Sequence, residues 1–140
     1  MNIREMIASD RPALQQIYLD ARVETFHWWP EGSFKLEDFE ASTEGEWVLV
    51  AEVEGEIVGF SSVGGEHFLH NLFISPSTQD KGVGKQLLAA CFEGKLNKPA
   101  RLKCTVRNTK ACGFYEANGW QIEEADVAHD PDPYHLFVFR

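Results

Sequence analysis

With 140 residues, 44% apolar and 25% charged, the chain has the size and composition of one folded domain around a single core, unlike a disordered or membrane protein. A formal net charge of −9 opposes binding to a nucleic-acid backbone, where affinity rests on lysine and arginine at phosphates. No stretch approaches the ~20 apolar residues of a membrane-spanning helix, and the three cysteines, Cys91, Cys104 and Cys112, lack the CxxC spacing of a zinc site and the even number of a disulfide framework.

The opening MNIREMIASD has no apolar signal region, so a cytoplasmic protein is expected. Residues 3–7 read as a short strand. Ser9 or Asp10 is placed to cap a first helix, with Pro12 tolerated in its first turn and Leu14, Ile17, Tyr18 and Ala21 on one face. Residues 26–45 are rich in aromatic and acidic side chains, among them Trp28, Trp29, Phe34 and Phe39, with a short helix expected over 36–42.

Two β-rich runs, 47–53 and 56–63, flank Glu54-Gly55 and predict a hairpin. A strand over 67–74 follows Gly64-Gly65 and is stopped by Pro76. Alternation places Phe68, His70 and Leu72 on one face of it unless a bulge shifts the register, with His67, Leu69 and Asn71 on the other. Next, Val83, Leu87, Leu88 and Cys91 recur at near-helical spacing.

Residues 102–106 form another strand candidate. A helix then starts at Asn108 or Thr109, carries Ala111, Phe114 and Tyr115, and is ended by Asn118-Gly119. Closing strands are expected over 120–124 and 135–139, joined by a charged, proline-containing loop. Cys91 and Cys104 read as core residues.

Between the strand over 67–74 and the helix after it stands Gln79-Asp80-Lys81-Gly82-Val83-Gly84. Two glycines let the backbone approach a ligand, and successive N–H groups at a helix start can surround an anion such as a pyrophosphate. Together with Asn108-x-x-Ala111-x-x-Phe114-Tyr115-Glu116-Ala117-Asn118-Gly119-Trp120, this strand-loop-helix resembles the GNAT family of N-acetyltransferases. That family's acetyl-CoA loop, Q/R-x-x-G-x-G/A, is matched by Gln79, Gly82 and Gly84, and the order of elements matches over nearly the whole chain.

The resemblance implies an α/β (α+β) fold: a mixed, mostly antiparallel sheet splayed between strands 4 and 5, flanked by about four helices. It implies acetyl-CoA as cosubstrate and no metal, with the pantetheine arm in the opening. The backbone of Phe73 and Ile74 would pair with pantetheine amides, in the manner of strand addition. The Leu72 amide would face the thioester oxygen, where negative charge develops during attack. The loop residues Gln79, Asp80, Lys81, Gly82, Val83, Gly84 and Lys85, with Asn108 and Tyr115, complete the expected cofactor contacts. Asn108 also suits a helix cap, and Lys81 and Lys85 equally suit solvated positions.

An alkyl amine with a pKa near ~10.4 is protonated at neutral pH, and removing its proton costs roughly 4 to 5 kcal/mol. His70 is the first base candidate by resemblance, and an imidazole suits the task. A strand histidine that only packs fits the position as well. Glu24 and Glu66 are alternative bases if their elements border the cleft. Tyr115 matches the family's general acid, which returns a proton to the departing CoA thiolate. Trp28, Trp29, Phe34 and Phe39 are candidates for an acceptor pocket or for core packing, and the pocket would suit an amine with an apolar or aromatic body.

These features predict acetyl transfer to a primary amine, most simply of a small molecule, by direct attack in a ternary complex. A monomer and a homodimer both fit. A noncatalytic acyl-CoA-binding or regulatory domain would keep the loop without turnover, and intact Tyr115 and His70 lean against it. A nucleotide-binding protein fits less well, because the G-x-x-x-x-G-K-[ST] pattern is missing.

Overall fold

Trp47-Val48-Leu49-Val50-Ala51 is apolar at every position, as a strand must be when both of its faces are covered. In the computed structural model, which describes residues 1–78 and 82–140, this run opens β2 (Trp47–Val53). Val48 and Val50 pack on one side of the sheet, and Leu49 and Ala51 on the other. Gln79, Asp80 and Lys81 of the glycine loop lie outside the described residues.

Around β2 the described residues form one seven-stranded sheet in the order β1-β2-β3-β4-β5-β7-β6. The other strands are β1 (Asn2–Glu5), β3 (Glu56–Gly64), β4 (Phe68–Ile74), β5 (Ala100–Thr105), β6 (Gln121–Val127) and β7 (Tyr134–Phe139). Neighbours run antiparallel except β4 and β5, which are parallel.

Helices α1 (Arg11–Thr25) and α2 (Asp38–Thr43) cover one face, where Leu14, Ile17, Phe39 and Phe60 form a core with Tyr18 and Phe73 against it. Phe39 is therefore core and not pocket. Helices α3 (Val83–Glu93) and α4 (Thr109–Ala117) cover the other face. The predicted stripe of α3 is buried there in full, at Val83, Leu87, Leu88 and Cys91. The hairpin of β2 and β3 forms as expected, with Glu54 and Gly55 both at positive φ.

Two expectations need correction. Asp10 occupies the position before α1 but does not cap it; its carboxylate accepts from Arg4 at 2.8 and 2.9 Å and from the Ile7 N–H at 2.8 Å. Strict alternation in β4 also fails. Val63 pairs with Leu69 and Ser62 with Asn71, so His70 is an extra residue in a bulge. Leu69 and Leu72 consequently pack on the same α3 face despite their opposite parity, and Leu72 leaves the face expected of His70. All three cysteines are buried free thiols, and Cys112 lies with its sulfur 3.3 Å from that of Cys104.

Candidate active site

Parallel β4 and β5 start side by side and then separate. Among the described residues their ladder consists of Phe68 opposite Arg101, reinforced by the Arg101 N–H donating to the His67 carbonyl at 2.8 Å. β5 keeps its full pairing with β7, while β4 keeps its pairing with β3 as far as Ile74. The edge of β4 that faces the gap thus has no strand partner beyond Phe68 among the described residues. Its backbone groups there are open to an extended ligand.

The gap is part of a cleft of about 320 Å³. Leu72, Phe73, Ile74 and Ser75 form one wall, and Asn108, Ala111, Phe114 and Tyr115 of the α4 region form the opposite one. Val83 and Gly84 close the end at the start of α3, while Glu24 and Thr25 border it from α1. A wider groove of about 460 Å³ between β1, β2 and α3, bordered by Trp47 and Glu93, shares no lining residue with this cleft.

The two glycines near the helix start do different things. Gly82 precedes α3 with φ +73°, a left-handed conformation that a side chain resists. Gly84 lies under Phe114, where an added Cβ would meet the ring at 3.2 Å. Helix α3 therefore approaches α4 closely, which brings its first-turn N–H groups, without partners inside the helix, to the cleft. Lys85 is exposed.

Asn108 combines two positions: its Oδ1 accepts from the Ala111 N–H at 3.3 Å as the cap of α4, and it lines the cleft. Tyr115 is buried, with 8% of its surface exposed, and lines the cleft beside Phe114. Among the described residues its hydroxyl has no hydrogen-bond partner. Burial pushes its pKa well above that of a free phenol, and the neighbouring Cys104, Cys112 and Cys91 add to the shift. Burial also pushes the Cys112 thiol up, which favours an inert core group over a nucleophile.

His70 is not part of the cleft lining. It is half exposed, and its Nδ1 lies 2.8 and 3.0 Å from the two carboxylate oxygens of Glu46. Glu24, by contrast, borders the cleft, and Glu66 is exposed in the turn before β4.

Trp28 and Trp29 point their indole N–H groups at one carboxylate, that of Asp132 in the β6–β7 loop, at 3.2 and 2.8 Å. Trp29 stacks on Phe34, and the Arg107 guanidinium lies 4.3 Å from the centre of the Trp28 ring. Trp28 follows the lining residue Thr25 closely in sequence, and Arg107 immediately precedes the lining residue Asn108. The aromatic loop after α1 is thus tied to the β5–α4 side of the gap. Buried Arg22 anchors the same loop: its guanidinium lies 4.8 Å from the centre of the Phe34 ring and donates to the Lys35 carbonyl at 3.3 Å, and it also donates to Asp38 at the start of α2 at 3.1 Å.

Sequence reasoning missed Glu46, Asp132, Arg22 and Arg107. Nothing in the local pattern marks them, because their partners come from distant segments. Among the described residues, no group of three or more His, Cys, Asp or Glu side chains is arranged to hold a metal ion, and no helix is long and apolar enough to cross a membrane.

Residues 44–122 match a family profile described as an acetyltransferase (GNAT) domain. The chain is 31% identical to the aminoglycoside N(6')-acetyltransferase type 1 of Stenotrophomonas maltophilia, over 81% of this chain and 86% of that protein. It is 26% identical to the peptidyl-lysine N-acetyltransferase YiaC of Escherichia coli, over 86% of this chain and 83% of that one. In fold it matches apo-form YjaB from Escherichia coli, with a TM-score of 0.80 at 23% identity, covering 99% of this chain and 96% of that one. It also matches yncA from Salmonella typhimurium with its cofactor acetyl-CoA, with a TM-score of 0.77 at 19% identity, covering 100% of this chain and 93% of that one.

Proposed function

Since the chain belongs to the GNAT acetyltransferase family and is an acetyl-CoA-dependent N-acetyltransferase, we propose that its acceptor is the primary amine of a small molecule, attacked directly in a ternary complex. One observation carries this reading: the edge of β4 that has no strand partner among the described residues faces the buried Tyr115 across a cleft. No metal and no covalent enzyme intermediate take part, and a single cytoplasmic catalytic domain suffices.

Acetyl-CoA lies along the open edge of β4, its pantetheine amides paired with the backbone of Ile74; the Phe73 carbonyl, expected to share this role, turns toward Gly59 of β3 instead. Its diphosphate sits at the start of α3, where first-turn N–H groups favour an anion. The Leu72 N–H points at the thioester oxygen and stabilises the charge that grows there as the amine attacks. His70, outside the lining, takes the amine's proton through water. Tyr115, whose raised pKa keeps its proton in place until then, gives that proton to the sulfur as the tetrahedral intermediate collapses, and the phenolate takes back the surplus proton of the attacking nitrogen, leaving a neutral amide and the free thiol.

The bond between the aromatic loop and the β6–β7 loop supports a small acceptor. Two indole N–H groups on Asp132, and Arg107 against Trp28, tie the loop after α1 to the far side of the gap, and although none of these four residues lines the cleft, the tie restricts the room for an extended peptide beside it. The names of the two relatives point to a peptidyl lysine and an aminoglycoside, and both acceptors are nitrogen nucleophiles.

Thiol release from acetyl-CoA over a panel of small amines, polyamines and lysine peptides tests the proposal, with calorimetry of CoA binding beside it. Turnover with small amines above lysine peptides is expected. CoA binding without turnover on any amine would instead indicate a noncatalytic acyl-CoA-binding domain.

A further inference from the structure

A mostly buried carboxylate is costly to desolvate unless something pairs with it. Glu46, in the turn between α2 and β2, has a side chain only 15% exposed, and among the described residues its one ion-pair partner is His70. No described arginine or lysine neutralises it, although Arg4, Arg22 and Arg101 pair with carboxylates elsewhere. Building on the proposed acetyl transfer with His70 as base, we infer that Glu46 is the positioning residue for that base, and that the two form a dyad.

The geometry fixes a tautomer. An ionised carboxylate only accepts hydrogen bonds, so the His70 Nδ1 facing it at 2.8 Å carries the hydrogen. In the neutral ring the lone pair is then on Nε2, which has no hydrogen-bond partner among the described residues. The imidazole is 40% exposed, which leaves that nitrogen accessible to water.

Glu46 is itself held in place. Ser62 donates to its Oε1 at 2.8 Å, the Asn71 Nδ2 donates to Ser62 at 2.9 Å and to Ser42 at 3.0 Å, and Tyr18 joins Ser42 at 3.1 Å. Ser62 and Asn71 are buried and oppose each other at the β4 bulge that contains His70. The same chain of hydrogen bonds therefore fixes the carboxylate, the bulge and the imidazole together.

In the proton step, the Nε2 lone pair takes one proton from the acceptor ammonium through a bridging water. This leaves a neutral amine with a free electron pair and an imidazolium facing Glu46. After transfer, Nε2 releases the proton to solvent.

Glu46→Gln tests the dyad, because its amide can donate to Nδ1 and so favour the unproductive tautomer. Expected is a fall in kcat of about 10- to 100-fold with the amine, while the calorimetric CoA affinity stays within about twofold. His70→Ala should fall by a similar factor, and the double variant no further than the worse single one, since the two act as a unit. Glu46→Asp should recover part of the rate.

Independent losses that multiply in the double variant, or a normal rate in Glu46→Gln beside a slow His70→Ala, would overturn the inference and leave the proposed function standing. A normal rate in His70→Ala would remove the base assignment, and the dyad with it. Nitrogen NMR of the wild-type imidazole reads the tautomer directly and does not depend on any variant folding. A neutral His70 protonated at Nδ1 supports the dyad, and protonation at Nε2 overturns it.

Discussion

Tyr115 owes its chemistry to the same burial that makes it a core residue. It packs against Phe114, Trp120 and Phe137, and it lines the cleft. A phenol so placed resists ionisation, because a phenolate would lose its hydration without gaining a cation. The sign follows directly: a raised pKa leaves the acid form populated through the range where a free tyrosine near ~10 would begin to ionise. Tyr115→Phe should lower kcat by about 10²-fold, within the range of general acid catalysis, and leave CoA affinity nearly unchanged. Stopped-flow thiol release together with calorimetry separates the two quantities, and an undiminished kcat would exclude the acid role. The alkaline limb of the wild-type profile should likewise show no loss of activity from this residue near pH 10.

Secondary structure was most legible where a single periodicity held without interruption. The α3 stripe and the β2–β3 hairpin came directly from spacing and turn residues, since each depends on neighbours a few positions away. The faces of β4 were not legible, because one extra residue at His70 reverses the parity of everything after it. The partners of the bulge were hidden for another reason: Glu46 is 24 positions from His70, and Asp132 more than a hundred from Trp28 and Trp29. Only the folded sheet brings such pairs together. Gly59 shows the same long-range dependence. It faces Ile74 across β3 and β4, and a Cβ there would meet Ile74 Cδ1 at 2.8 Å and the Phe73 carbonyl oxygen at 3.0 Å. The side chain can turn aside, but the carbonyl belongs to the strand proposed to hold pantetheine. Gly59→Ala should cost about 1–3 kcal/mol as overpacking and raise KM for acetyl-CoA more than KM for the amine. A thermal melt and the two Michaelis constants check this, and a variant with unchanged Tm would show that the strands can separate freely.

For a molecule with net charge −9, stability in acid depends on which carboxylates the fold uses. Asp10 is held below the ordinary carboxylate range, first by its hydrogen bonds to Arg4, and Asp38 is held down first by the Lys35 N–H and then by Arg22. Groups whose folded pKa is depressed contribute fully above their unfolded value near ~4, and the contribution disappears as pH falls through the lower folded value. Asp10→Asn should therefore lower Tm by a few degrees at pH 7, with the gap to wild type narrowing toward pH 3, as melts followed by circular dichroism would show. A gap independent of pH would mean that packing, not charge, dominates at this position. The same scale governs access to the cleft. One side of the gap consists of β4 with the helices α1 and α2, the other of β5, β7 and α4, and the aromatic loop crosses between them to Asp132. Asp132→Ala leaves both indole N–H groups without their shared acceptor, so the loop loses its tie to the far side while Leu14, Phe39 and Phe60 keep the underlying core. If that tie restricts the acceptor, the variant should show a several-fold higher KM for small amines and a relative gain for lysine peptides, with CoA affinity retained. Unchanged selectivity across the amine panel would mean that the two loops meet away from the path of the acceptor.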